Sequence, residues 1–190
     1  MRNSLLIALA AIGLAALPAL AGTTEDLART CNACHGVNGV SVGPSMPSIG
    51  GLPEAYLKNL MTQWKTDERY SATMGRHFKG YTEAELAALA TYFSKLPYVP
   101  SVQPADAKLV AKGKEATERC ETCHGVTGGE PDDNETPKLN GQWAKYLEME
   151  LMKYRVDSVK MPHKKMRNNA KKLEEGDVAT AAQYYAAQPK

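Results

Sequence analysis

The five-residue runs Cys31-Asn32-Ala33-Cys34-His35 and Cys120-Glu121-Thr122-Cys123-His124 share one pattern, CxxCH, and use all 4 cysteines of the chain. No other feature limits the fold so strongly, because CxxCH is the attachment pattern of a c-type haem. Two thiols at this spacing can add to the two vinyl groups on one porphyrin edge, while the adjoining imidazole swings under the ring to ligate iron. Redox dithiols and paired disulfides also use four cysteines, but neither needs a histidine directly after each second cysteine. Zinc ribbons want CxxC pairs about 15–20 residues apart, whereas a domain-sized stretch separates Cys34 from Cys120. The expectation is two covalently bound haems c, on Cys31 and Cys34 and on Cys120 and Cys123, with His35 and His124 as axial ligands.

The N-terminus, Met1-Arg2-Asn3 followed by an apolar run from Leu5 to Leu20 that closes on Ala19-Leu20-Ala21, reads as a cleavable signal peptide over 1–21. The run falls short of the 20 or so residues that span a bilayer. Export into the periplasm, leaving no transmembrane anchor after processing, agrees with the haem motifs. The chain carries 23 basic and 21 acidic residues. That balance gives no argument for nucleic acid. A basic group (Lys160, Lys164, Lys165, Arg167, Lys171, Lys172) and an acidic one (Glu130, Asp132, Asp133, Glu135) read first as solvated surface.

The motifs belong to an internal repeat. His35 and His124 are 89 residues apart; Gly51, Tyr56, Leu57 and Trp64 recur as Gly141, Tyr146, Leu147 and Tyr154 at 90; Met74, Tyr92, Phe93 and Pro97 recur as Met166, Tyr184, Tyr185 and Pro189 at 92. Two homologous domains are expected, 22–97 and 106–190, joined by an extended and fairly stiff linker over 98–105 that Pro97, Pro100 and Pro104 rigidify. Both are all-α by pattern. Tyr56, Leu57, Leu60, Met61 and Trp64 share one helical face within 53–67, and Leu86, Leu89, Ala90 and Phe93 another within 82–94. Thr82 and Glu85 form a capping-box signature. The second copy repeats this with Tyr146, Leu147, Leu151 and Tyr154, then Val178, Ala181, Ala182 and Tyr185. Helices are also expected before each haem motif, over 24–31 and 106–120. Units of this size have thin cores of their own, so a porphyrin plate would complete each one. Tyr56, Trp64, Trp143 and Tyr146 read as its walls, with hydrogen bonds to propionates as the sharper alternative.

Electron-carrying haems are closed by a second axial ligand. Met74 and Met166 each lie seven residues before the segment that opens the last helix, and no other methionine pair keeps that phase. Met161 is the rival in the second copy. His77 and His163 flank the candidate methionines on opposite sides, which marks them as bystanders and leaves no histidine-based zinc or copper centre. Pro44, nine residues after His35, is the expected carbonyl acceptor for the imidazole, with Asn134 at the equivalent place in the second copy. That difference suggests unequal haem potentials.

With these two units, a CxxCH and a methionine in each, and the Leu-Asn-Gly-Gln-Trp-Ala-Lys-Tyr-Leu stretch at 139–147, the chain resembles the two-domain, two-haem cytochromes of the cytochrome c4 type, built from tandem class I cytochrome c domains. Segments 41–49, 73–76, 79–82 and 161–166 are more similar to the dihaem subunit of flavocytochrome c sulfide dehydrogenase. The resemblance implies a non-enzymatic electron-transfer protein that accepts electrons from a sulfide-oxidising flavoprotein and passes them to a small soluble cytochrome or similar acceptor. A free-standing cytochrome c4 serving a terminal oxidase is the alternative. A haem enzyme, such as a dihaem peroxidase or thiosulfate dehydrogenase, would need an open sixth position and a nearby acid or base.

Overall fold

The structure, a computed structural model, describes residues 22–188; the expected signal peptide and Pro189 lie outside the described residues. Among the described residues all regular structure is helical, as the hydrophobic periodicity requires.

In the first half, α1 (Thr24–Arg29) opens with a capping box in which Thr23 Oγ1 accepts from the Asp26 N–H and the Asp26 carboxylate accepts from the Thr23 N–H. One helix was expected to run to Cys31. Instead α1 stops at Arg29, and α2 (Asn32–His35) starts afresh inside the haem motif. The Thr30 hydroxyl donates to the Leu27 carbonyl at 2.7 Å, giving the backbone a local partner that competes with helix continuation. At the equivalent place the second half has Arg119, a good helix former, and α6 (Ala107–His124) runs unbroken through its motif.

α3 (Glu54–Lys65) follows Pro53 and buries Leu57, Leu60 and Met61; the left-handed turn at Asp67 (φ 59°) lies just beyond its end. After the short α4 (Met74–His77), α5 (Glu83–Ser94) begins at the expected capping box, with Thr82 Oγ1 accepting from Glu85 N–H at 3.2 Å and Glu85 Oε2 accepting from Thr82 N–H at 2.7 Å. α3 and α1 both pack on α5. Leu52, Leu57, Met61, Phe78, Leu86, Leu89 and Phe93 make the core between them.

In the second half α6 crosses α9 (Asp177–Ala187), and α7 (Ala144–Arg155) packs on both α9 and α8 (Lys164–Ala170). The α6–α9 crossing is close enough to require glycine, since a Cβ on Gly113 would stand 2.2 Å from Tyr184 Cβ. The repeat extends to single hydrogen bonds. Gly51 N–H donates to Phe93 O at 2.8 Å and Gly141 N–H to Tyr185 O at 2.9 Å, each glycine at positive φ (71° and 66°). The α5 cap is not duplicated, because Gly176 precedes α9 and offers no side chain.

Segment 98–105 has no helix and is tied down along the second half. Tyr98 OH donates to Asn140 O at 2.6 Å, Ser101 N–H to Gly141 O at 2.7 Å, and the Gln103 amide spans Gln142 O and Ala144 N–H. The halves also meet directly. Buried Gln142 accepts from Ser48 N–H at 2.9 Å and donates to Ser48 O at 2.8 Å; Tyr56 N–H donates to Asn134 O, Tyr70 N–H to Lys160 O, and the Trp143 indole to Ser41 O.

Candidate haem sites

Each CxxCH run is helical at its histidine, and the helix buries that imidazole while leaving the cysteines nearer the surface. His35 and His124 are each 8 % exposed. His35 Nδ1 lies 2.8 Å from Pro47 O and His124 Nδ1 lies 3.2 Å from Pro137 O. A carbonyl can only accept, so each Nδ1 carries the proton and donates it, which leaves Nε2 bare for a metal. Burial lowers both imidazole pKa values and the carbonyls partly offset this, so the neutral, ligating form prevails.

These carbonyls correct the expectation at Pro44. Pro44 is exposed in the turn before Met46, and the carbonyl of Asn134 is engaged instead by Tyr56 of the first half. Pro47 and Pro137 stand 90 residues apart and keep the phase of the repeat. That phase was the signal that counting from one histidine missed. The two imidazoles are held alike, so the Pro44–Asn134 difference gives no reason for unequal potentials.

In the second half Cys120, Cys123, His124 and Met166 line one cavity of about 290 Å³, closed by Leu139, Leu147, Leu151, Leu173 and Tyr185. Burial pushes the free Cys120 thiol up to about 11. Met161 is not on that wall; it is 5 % exposed and packs behind it with Tyr154 and Ala170. His163 is exposed at the cavity rim. In the first half Cys31, Met74 and Trp64 pack against the same core cluster. Met74 opens α4, its N–H donating to Ser71 Oγ at 3.0 Å. Cys34 is exposed, as is His77, whose Nε2 is 3.3 Å from Tyr81 OH.

The first half also builds part of the second half's cavity. Leu52, Tyr56, Leu60, Gln63 and Arg69 line it beside Gln142, Tyr146 and Glu150. Tyr56 and Tyr146, equivalent in the repeat, both line the cavity, and burial raises both phenol pKa values. Arg69 Nη1 donates to Tyr154 OH at 2.8 Å and Nη2 to Glu150 Oε1 at 2.5 Å, with the guanidinium 5.2 Å from the Tyr154 ring centroid. Arg69 Nε and Trp64 Nε1 are buried without a hydrogen-bond partner among the described residues. Sequence reasoning missed Ser48, Arg69, Gln142 and Glu150. Their signal was a break in the repeat, since Arg69 faces Val159 and Gln142 faces Leu52 at the 90-residue offset.

This donor set fits haem c. It offers two thiols, an imidazole with bare Nε2, a thioether, an apolar wall, and buried N–H donors left over for carboxylates at the porphyrin edge. Among the described residues no helix is long and apolar enough to cross a membrane.

No family model matches the chain. Cytochrome c4 of Pseudomonas aeruginosa is 31 % identical over 192 residues, covering 95 % of this chain and 94 % of that protein. The thiosulfate dehydrogenase electron acceptor of Thiomonas intermedia is 31 % identical over 188 residues, covering 92 % and 85 %. The cytochrome subunit of sulfide dehydrogenase of Chlorobaculum tepidum is 40 % identical over 91 residues, 46 % of this chain and 82 % of that protein. Among solved structures, reduced recombinant cytochrome c4 from Pseudomonas stutzeri superposes with a TM-score of 0.79 at 25 % identity, covering 87 % of this chain and 97 % of that one.

Proposed function

The chain belongs to the cytochrome c4 family, whose members are dihaem c-type cytochromes, and from that premise we propose that it is a periplasmic dihaem electron carrier serving a sulfur-compound oxidoreductase. The observation that carries this reading is the gathering of Cys120, Cys123, His124 and Met166 around one cavity, with the repeat supplying Cys31, Cys34, His35 and Met74 in the first half. Bound haem would supply a one-electron iron couple at each position. The cysteines would hold each porphyrin covalently, His35 and His124 would offer Nε2 to its iron, and Met74 and Met166 would supply the second iron ligand. Leu139, Leu147, Leu151 and Leu173 give the second site an apolar wall. A closed sixth position suits electron relay and argues against a haem enzyme. In this reading residues 1–21 are removed on export, and 22–97 and 106–190 are the two domains on either side of the 98–105 linker.

The partner we favour is a sulfide-oxidising flavoprotein. Support comes from the segments at 41–49, 73–76, 79–82 and 161–166 and from the 40 % match to a sulfide dehydrogenase cytochrome subunit. A free carrier, or an acceptor for a thiosulfate dehydrogenase, is the second reading, favoured by the matches that span nearly the whole chain. Native purification with a scan for flavin absorbance, followed by stopped-flow reduction, separates them. Co-elution with a flavoprotein and sulfide-dependent reduction of both haems is the expected result. A flavin-free carrier reduced only through a thiosulfate dehydrogenase would overturn the flavoprotein assignment.

A further inference from the structure

Arg69 is supplied by one half of the molecule and buried in the cavity of the other. It is 5 % exposed. Its backbone belongs to the first half, where its N–H donates to Gln63 O at 3.1 Å, five residues before Met74. Its guanidinium reaches Glu150 and Tyr154 on α7 and lines the cavity that holds Cys120, Cys123, His124 and Met166. Cys31, Cys34, His35 and Met74 are not on that wall. The next residue, Tyr70, donates its N–H to Lys160 O at 2.8 Å, so the stretches leading to Met74 and Met166 are stitched together here.

A guanidinium never loses its charge in a protein. Buried at a haem cavity, it is only weakly screened. We propose that Arg69 is a positioning residue through which the first half sets the reduction potential of the second-half haem, with Glu150 as its counterweight. The inference rests on the dihaem reading above. Reduction removes one unit of positive charge from the iron, so a fixed cation nearby favours the reduced state and a fixed anion disfavours it. The Arg69–Glu150–Lys153 cluster holds two cations against one anion, with Lys153 Nζ on the second Glu150 oxygen at 2.6 Å. Its net field therefore raises the second potential. The buried Arg69 Nε, which has no partner among the described residues, is the donor left for an acidic group at the porphyrin edge.

The alternative is that the cluster merely fastens the two halves. Sign separates the two ideas. A fastening role makes Arg69→Met and Glu150→Gln alike, both loosening the interface. A field makes them opposite.

The experiment is a spectroelectrochemical titration of the holoprotein and of Arg69→Met, Arg69→Lys and Glu150→Gln, with the two steps assigned to their haems by Met74→Ala and Met166→Ala. Arg69→Met lowers the equilibrium constant for reducing the second-half haem by about three- to tenfold, tenfold being about 59 mV for one electron. Glu150→Gln raises it by a similar factor, Arg69→Lys stays near wild type, and the first-half haem moves much less throughout. Should Arg69→Met fail to assemble, the upward shift in Glu150→Gln still decides. Shifts of the same sign in both variants, equal shifts at both haems, or no shift would overturn the proposal. Absence of two covalent haems in the wild type would instead overturn the dihaem reading, so the two failures are distinguishable.

Discussion

Gln142 joins the halves by a two-point clasp, and replacing it by alanine should weaken the interface markedly. Its amide accepts from Ser48 N–H at 2.9 Å and donates to Ser48 O at 2.8 Å, and its oxygen also accepts from Trp143 N–H at 3.1 Å; Gln142 is 3 % exposed. Each cross-half bond contributes about 1 kcal/mol net, and at least one buried backbone group left without a partner costs a further 1 kcal/mol or more, so Gln142→Ala should destabilise the protein by about 3 kcal/mol. For a chain of this size that lowers Tm by about 6–12 °C. Thermal unfolding followed by far-ultraviolet circular dichroism and by Soret absorbance would show it. Gln142→Glu supplies a sharper check. An ionised carboxylate still accepts from Ser48 N–H but faces Ser48 O without a proton, whereas the protonated acid can donate. The introduced acid therefore has a folded-state pKa above its unfolded value of about 4.3, and the stability it contributes is present at low pH and lost as pH rises through that folded value. Gln142→Glu should thus approach wild type on acidification. A Gln142→Ala shift below about 0.5 kcal/mol would refute this account of the interface.

At the α6–α9 crossing, Gly113→Ala should cost about 1–3 kcal/mol in urea unfolding because the helices must part around Tyr184, while Gly43→Ala, with nothing within 4 Å of the added Cβ, should be nearly neutral. Burial alone would push the Glu150 carboxyl up, but the Arg69 guanidinium and Lys153 ammonium hold it below the usual carboxylate range. Its folded pKa is thus depressed, so its stabilisation is present above about pH 4.5 and lost as pH falls; acid unfolding of Glu150→Gln should be shallower below that pH than wild type. Pro44→Ala should leave both haem potentials where they are, since Pro47 and Pro137 provide the histidine acceptors; a shift in the first potential alone would restore the role expected from sequence.

What could be read from the sequence follows from which interactions are local or repeated. CxxCH fixes its own chemistry within five residues, and Thr82 with Glu85 announces the start of α5 within four. The 90-residue phase brings Gly51 and Gly141 to matching hydrogen bonds. The same phase relates Pro47 to Pro137, a proline at both places, whereas the expected pair, Pro44 and Asn134, is reached by counting from one histidine and does not keep the residue type. Thr30 illustrates a second limit, because one hydroxyl bond to Leu27 O ends a helix that periodicity would continue. For Arg69, Ser48, Gln142 and Glu150 a break in the repeat marks the position but cannot name the partner. Their partners are in the other half, and how two similar units dock depends on surfaces that no periodicity describes. Arg69 in sequence is one basic residue among 23; only docking buries it.

The central claim is that each half closes its iron with one histidine and one methionine, Met74 in the first and Met166 in the second. The methionine-to-ferric charge-transfer band of the oxidised holoprotein tests it most directly, recorded for wild type, Met74→Ala, Met166→Ala and Met161→Ala at matched haem content. Met74→Ala and Met166→Ala should each remove about half of the band and Met161→Ala none, because Met161 packs behind the cavity wall with Tyr154 and Ala170. A wild type without the band, or a band halved by Met161→Ala and untouched by Met166→Ala, would contradict the account.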